Sequence, residues 1–289
     1  MEKRKLIIGC GYLGRRVARR WKKQGHQVFA LTRSGDHAAD FRDAGIEPFI
    51  GDVTDSASLA SLPEVDTLLY AVGLDRTSGQ SQREVYVGGL ENVLARMADR
   101  VRCFLYISST SVYGQNAGEW VDESSECRPT SENGSVCLDA ESLLRNEASQ
   151  ANVLRLAGIY GPGRLLARVD ALRAGLAVEG NPESWLNLIH IEDAVAAVLA
   201  SEGCGVPSAT YLVCDDRPCR RREFYSLLAW MVGAPQPGFE PDASAGLNKR
   251  CSNRRLHEDL HVTLRFPGMN VGLPHALTTN ESPDARFLV

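Results

Sequence analysis

The chain has 289 residues, a formal net charge of −4 and 44% hydrophobic residues, enough to bury a substantial core in one large α/β unit or in a nucleotide domain with a smaller companion. That length excludes a free-standing small module, and the slight acidity disfavours nucleic acid as the main partner, although a local basic patch still suits a single phosphate. No apolar run reaches the length needed to cross a bilayer, so the sequence predicts a soluble, cytoplasmic protein with no membrane partner. The eight cysteines at 10, 103, 127, 137, 204, 214, 219 and 251 form no Cys-x-x-Cys pair, which predicts reduced, mostly buried thiols and no metal.

In chain order, "KLIIGCGYLGRRVARRWKKQGHQVFALTRSG" reads as a strand at Leu6 to Ile8, a glycine turn, a helix to about Gln24 stopped by Gly25, and a second strand from Gln27 to Leu31. This is a βαβ unit, whose crossover helix implies parallel strands. A helix in "AADFRDAG", a strand in "IEPFIGD", a short helix in "SLASL" and a buried strand in "VDTLLYAVG" follow. A helix over Gln80 to Asp99, a strand in "VRCFLYISS", a helix containing Asp139 to Ala148 and a sixth strand in "NVLRLAGIYGPG" complete a doubly wound Rossmann-type parallel sheet, with ligands expected at the carboxyl ends of its strands.

Beyond Gly163 the rhythm loosens. Helices are expected in "LLARVDALRAG" and "REFYSLLAWMVG", a strand and helix in "SWLNLIHIEDAVAAVLAS", and a strand in "ATYLVCD". "APQPGFEPDASAG" reads as a loop, "RRLHEDL" as resumed periodic structure, and "TTNESPDARFLV" as a frayed tail. The division expected is a dinucleotide-binding domain at 1–162, to which 186–214 returns, and a smaller mixed α/β substrate-binding region at 163–289.

Gly9, Gly11 and Gly14 form G-x-G-x-x-G between a strand and a helix. The first permits the tight turn, the second lets a pyrophosphate approach the backbone of Tyr12 and Leu13, and the third lets helix pack on strand. NAD-binding folds usually end the second strand in a carboxylate, but here it ends in Thr32 and Arg33. A guanidinium receives a 2'-phosphate through charge-assisted hydrogen bonds, so NADP is favoured over NAD. Arg15 is either a helper or a solvated helix residue, and Asp36, folded back towards the ribose, keeps NAD open. Asp52, followed by Val53, is either an acceptor for the adenine amino group or a helix cap. Ala71, Val72 and Gly73 either lie against the cofactor or mark a turn.

The ordered set "GCGYLG", "GDVTD", "SSTSVYG", "LRLAGIYGPGR" and "NLIHIEDAVAAV" resembles the extended short-chain dehydrogenase/reductases, the NAD-dependent epimerase/dehydratase family, from about Lys5 to Leu199, with a fainter echo in "NKRCSNRRL". The resemblance implies a catalytic Ser at Ser109 and a Tyr-x-x-x-Lys pair on the following helix. "PTSENGSVCLDAE" supplies the flanking Pro129 and Glu141 of that motif but places Asn133 at the tyrosine position and Cys137 at the lysine position. It also puts Tyr86 where the family carries a helix asparagine and Gly158 where many nucleotide-sugar enzymes carry another. Since a positioned acid or base is typically worth about 100-fold to 10,000-fold, ordinary family catalysis would be badly weakened.

Substitute groups are few. Ser109 either polarises a carbonyl or bonds the backbone, and Tyr113 either transfers a proton or packs at the strand mouth. Tyr160 is expected to shape its loop, His190 to make a structural hydrogen bond, and Asp193 to cap or anchor a helix. Cys137 lacks the basic surroundings that activate a thiol. Arg217 to Phe224, "RPCRRREF", reads as a solvated helix start, while by resemblance Lys249 and Arg250 face an anionic substrate. "HEDLH" lacks a metalloprotease set. The resemblance also allows a homodimer built through the helix after "SVYG". Three functions stay open: an NAD(P)-dependent oxidoreductase reducing a small carbonyl substrate with Ser109 and Tyr113 or water, an inactive NADP(H)-responsive regulatory or scaffold protein, and a nucleotide-sugar epimerase or dehydratase with a relocated base.

Overall fold

The computed structural model describes residues 1–240 and 246–278. Strand β1 (Arg4–Ile8) has Leu6, Ile7 and Ile8 wholly buried, as expected of a parallel strand covered by helices on both faces. Around it lie β2 (Gln27–Thr32), β3 (Glu47–Ile50), β4 (Thr67–Tyr70), β5 (Cys103–Ser109) and the strands Asn152–Leu156 and Thr210–Val213. The order is Thr210–Val213, Asn152–Leu156, β5, β4, β1, β2, β3, and every pairing is parallel. The winding reverses between β1 and β4, which opens a crevice at their carboxyl ends.

Helices cover both faces. On one side α1 (Tyr12–Lys23) buries Leu13, Val17, Ala18 and Trp21 in a stripe at helical spacing. It ends at Gly25, which takes φ +79°. After α2 (Gly35–Asp43), the helices α3 (Gly89–Met97) and α4 (Glu132–Glu147) close the opposite face with Leu90, Val93, Leu94, Ala140 and Leu144. Beyond α5 (Leu166–Arg173), α6 (Ile191–Cys204) joins α1 on its side through Ala194, Val195 and Val198. The short helix α8 (Arg254–Glu258) adds Leu256 to the core shared by α1 and α6, and a separate core forms where α5 meets α7 (Arg221–Met231) and α9 (Met269–Thr278), built on Val169, Leu172, Phe224, Leu228 and Leu273.

Several expectations change in detail. β1 starts at Arg4, so Lys5 is in the strand, 1% exposed, donating from Nζ to Thr67 Oγ1 (3.0 Å) and ion-paired with Glu202 of α6. Trp21 Nε1 donates to the same carboxylate at 2.8 Å. The short helix expected in "SLASL", 58–62, is instead a 3-10 turn two residues earlier, Ser56–Leu59, and the expected helix from Gln80 includes a π-wound segment, Glu84–Gly88, before α3. "NVLRLAGIYGPG" is two strands: Ala157 N–H donates to Val213 O, but Gly158 N–H donates to Asn187 O, and Gly158–Tyr160 then pairs with Leu188–His190. The change of partner at Ala157 takes the chain out of the main sheet.

A strand at Glu119–Val121 pairs with Lys249–Cys251, neither of which the hydrophobic pattern marks. Phe239–Glu240 pairs with Val178–Glu179 inside the expected loop. The rest of that loop at 241–245 and the tail from 279 lie outside the described residues. Among the described residues no helix is long and apolar enough to cross a membrane.

Candidate functional site

The turn after β1 shows what each glycine does. Gly9 takes φ +90°, and a Cβ there would lie 2.3 Å from Ala71 O, so the turn passes against the end of β4. A Cβ on Gly14 would lie 2.7 Å from Gly9 O, where α1 closes on its own turn. Gly11 differs, because nothing lies within 4 Å of a Cβ built on it. Two glycines therefore serve contacts inside the fold, and the third leaves space in front of the first turn of α1.

That space is part of a cleft of about 790 Å³ at the carboxyl ends of β1 to β5. Its wall contains Gly9, Gly11, Tyr12, Leu13, Thr32, Arg33, Asp52, Val53, Ala71, Val72 and Gly73, the expected set except Gly14, which is turned into the helix packing. Asp52 Oδ1 accepts from both Thr54 N–H (2.9 Å) and Thr54 Oγ1–H (2.8 Å), so it closes a turn while its Oδ2 lies 4.0 Å from Arg33 Nη1. Arg33 Nη2 donates to Asp75 Oδ2 at 2.8 Å across the cleft mouth. Asp75 and Gln80 also line the wall, as do Ile107, Ile159 and Arg164 at other points. The Arg164 guanidinium lies 5.3 Å from the Tyr12 ring centre, and Tyr12 Oη donates to Pro162 O (2.9 Å), tying the start of α1 to the "GPGR" loop.

The expected acid/base positions sit apart from this wall. Ser109 is half-buried at the end of β5 and, by strand alternation, on the face of Ile107, which does line the cleft. Its Oγ accepts from Ser111 N–H at 3.1 Å and caps the turn Thr110–Val112. Helix α4 contains neither tyrosine nor lysine. Asn133 is exposed at its first turn, donating to Ser111 Oγ (2.8 Å) and accepting from Gln82. Cys137 is buried among Val112, Tyr113, Ala157 and Leu212, and burial pushes its thiol up to about 11.

Comparison with known proteins agrees with this architecture. Residues 6–203 match the model of the NAD dependent epimerase/dehydratase family. The chain belongs to that family. It is similar to the protein YeeZ of Escherichia coli strain K12, 29% identical over 92% of this chain and 97% of that one. A structure described as a putative NAD-dependent epimerase/dehydratase from Methylobacillus flagellatus is 33% identical with TM-score 0.79, covering 96% of this chain and 98% of that chain. WbmG of Bordetella bronchiseptica, solved in complex with NAD, shares the fold at 19% identity and TM-score 0.79, covering 96% of this chain and 93% of that chain.

Within this family member, Tyr113 is not placed to exchange a proton with a ligand. It is wholly buried, its Oη donates to Asp122 O (2.8 Å), and Arg155 Nη1 donates to it at 2.6 Å. Burial pushes the phenol further above its ordinary range. Arg155 also grips Glu141 through Nε (3.0 Å) and Nη2 (2.6 Å), and Ser108 Oγ donates to the same carboxylate at 2.6 Å. Burial opposes the charge on Arg155, but the hydrogen bonds and charge of Glu141 outweigh it and hold the guanidinium protonated. The retained Glu141 of the motif thus locks α4 to the sheet.

The remaining candidates are likewise structural. His190 is wholly buried at the start of α6, Nδ1 accepting from Glu192 N–H (3.2 Å), and burial drops it to about 3, leaving it neutral. Asp193 accepts from the backbone N–H of Arg265 and Phe266 at 2.9 and 2.8 Å, anchoring the C-terminal segment. Tyr160 packs edge-on to His190. The expectation that Lys249 faces substrate fails, because its buried Nζ donates to Tyr113 O at 2.8 Å. Arg250 Nε donates to Gly118 O, with its guanidinium between Trp120 and Trp185. His257 of "HEDLH" bonds Asp216 and Val262 O, and among the described residues no three His, Cys, Asp or Glu side chains cluster to hold a metal.

One residue of the cleft wall, Asp75, was missed by sequence reasoning, and Tyr86 was marked only as a departure from asparagine, without its contact to the neighbouring loop. Asp75 was hidden in a polar loop, although "DRT" repeats the Asp-x-Thr spelling of "DVT" and makes the same turn. Tyr86, in the π-wound segment, accepts at Oη from Leu74 N–H (3.1 Å), and the residues on either side of Leu74 both line the wall. Its signal was the departure from asparagine at that helix position.

Proposed function

We propose that the cleft takes a nicotinamide dinucleotide, NADP(H) in preference to NAD(H), and that the protein is an oxidoreductase acting on a small carbonyl compound. The observation that carries the reading is the contrast among the glycines: Gly9 and Gly14 are closed by backbone, while Gly11 opens onto the cleft at the start of α1, the arrangement that admits a pyrophosphate to free helix amides. Residues Gly11 to Leu13 would hold the pyrophosphate, Ala71 to Gly73 would flank the ribose, and Asp52 and Val53 would bound the adenine side. Thr32 and Arg33 would meet the 2' position, and the lack of a carboxylate at the end of β2 supports NADP.

When bound, the dinucleotide supplies hydride; the protein supplies orientation and a proton route. Ser109 is the hydrogen-bond donor on offer to a carbonyl oxygen near Ile107. With Tyr113 locked to Arg155, the proton comes from water or from Tyr86, whose hydroxyl proton is used in no hydrogen bond among the described residues. A second reading, a dinucleotide-responsive protein without turnover, is favoured by the burial of Cys137 and the bridging of Asn133 to Ser111 and Gln82.

Fluorescence titration of the protein with NADPH and NADH tests the first step, with Arg33→Ala alongside. Tight NADPH binding that weakens in the variant is expected; no binding of either nucleotide would refute the proposal. A screen of aldehydes and ketones for loss of reduced-nicotinamide absorbance then separates turnover from binding alone.

A further inference from the structure

Arg33 does not stand alone at the cleft mouth. Asp75 lies in the loop after β4, and its carboxylate is used on both sides: Oδ1 accepts from Thr77 N–H (2.9 Å) and Thr77 Oγ1–H (2.6 Å), and Oδ2 accepts from Arg33 Nη2 at 2.8 Å. The far end of the loop is pinned by Gln80 Nε2, which donates to Thr54 Oγ1 at 2.8 Å. Thr54 in turn closes the turn at Asp52, whose free oxygen is 4.0 Å from Arg33 Nη1. Arg33, Asp52, Asp75, Thr77 and Gln80 all line the cleft. The loop from β4 therefore crosses to the end of β3, with Arg33 held between two carboxylates presented by matching Asp-x-Thr turns.

We propose that Asp75 is the specificity-determining residue of this site: by pairing with Arg33 it restrains the preference for a 2'-phosphate. This rests on the dinucleotide reading above. A 2'-phosphate must take the Arg33 fork from Asp75 and bear the repulsion of a nearby carboxylate, whereas a ribose 2'-hydroxyl leaves the pair intact. Arg33 and Asp75 side chains are 47% and 31% exposed, so the pair is weak and exchangeable, as solvent-exposed ion pairs are. The hydrogen bonds from Thr77, with Arg33 beside them, hold the Asp75 carboxyl below its ordinary range, so it stays charged through neutral pH.

Asp75→Asn isolates the charge, since an asparagine Oδ1 still accepts from Thr77 and keeps the turn. The test is fluorescence titration of wild type, Asp75→Asn, Arg33→Ala and the double variant with NADPH and NADH. The NADPH-to-NADH affinity ratio is expected to rise roughly three- to tenfold in Asp75→Asn at about 50 mM salt, and less at higher salt. In the Arg33→Ala background the same change should move the ratio by less than about twofold, because no competing pair remains. An unchanged or lower ratio in Asp75→Asn overturns the proposal while leaving the dinucleotide reading intact. An equal rise without Arg33 also overturns it, in favour of direct repulsion. Failure of wild type and variants to bind either nucleotide overturns both.

Discussion

Replacing Glu141 by glutamine removes the charge that Arg155 is buried against without changing the shape of the side chain. Both side chains are under one-tenth exposed, and the pair has bidentate contacts at 2.6 and 3.0 Å. Breaking a buried pair from one side typically costs about 3–5 kcal/mol, because the other charge is left without compensation. At roughly 2 °C per kcal/mol for a chain of this size, the midpoint of thermal unfolding should fall by about 6–10 °C at a fixed scan rate. The paired variant Glu141→Leu with Arg155→Met removes both charges and should recover much of that loss, since a matched apolar replacement is often neutral or stabilising. Differential scanning calorimetry of the three proteins decides it. A fall under about 2 °C for Glu141→Gln, or a paired variant less stable than the single one, would refute the view of this pair as an internal clamp.

The glycine contrast gives a second outcome: Gly9→Ala should lower stability sharply, its Cβ meeting Ala71 O at 2.3 Å, while Gly11→Ala should leave the melting temperature within about 2 °C and weaken NADPH binding about tenfold or more by titration. Tyr113→Phe should cost about 1–3 kcal/mol in urea unfolding, the cost of the buried partners it leaves, and leave NADPH affinity unchanged; a proton-transfer role predicts a stable protein with a collapsed turnover rate instead. Asp215 is 2% exposed, its Oδ1 accepting from Arg217 N–H at 3.3 Å, and burial pushes its carboxyl up to about 8. Between about pH 4, where the unfolded carboxyl ionises, and pH 8, the folded state holds the extra proton, so this group makes stability fall as pH rises. Asp215→Asn should therefore raise the melting temperature more at pH 8 than at pH 5, and an equal effect at both would remove the explanation.

Much of the sheet could be read from sequence because a parallel strand buried on both faces is written as a short continuous apolar run, as in "KLII" and "TLLY", and the glycines between such runs mark where each turn must pass close to backbone. What escaped reading is polar. Lys5 looks like a charged flank to "LII", yet it is buried because Glu202 and Thr67 meet it, partners that are nearly 200 and about 60 residues away in sequence. The strands Glu119–Val121 and Lys249–Cys251 are three residues each and mix the charged Glu119, Lys249 and Arg250 with Trp120, Val121 and Cys251, and they hold by pairing with each other, which no local window reveals.

The site shows the same division more sharply. Gly9, Gly11 and Gly14 could be assigned separate tasks from spacing because backbone sterics are local, and the structure separates them on those lines. Arg33 could be singled out by type, but its setting could not, since Asp75 reaches it across 42 residues. Tyr113 illustrates the opposite error. Its neighbourhood in "SVYG" invites a chemical role, while the decisive fact is a strand away: Arg155 lies inside "NVLRLAG", where an arginine flanked by apolar residues on a buried strand requires an internal anion. Glu141 is that anion, and a phenol packed beside such a pair becomes its third member. A buried arginine in a core strand is thus the sequence signal that a neighbouring titratable side chain belongs to the scaffold, and it directs the search for a proton donor towards groups outside that clamp, such as Tyr86 beside the Leu74 backbone.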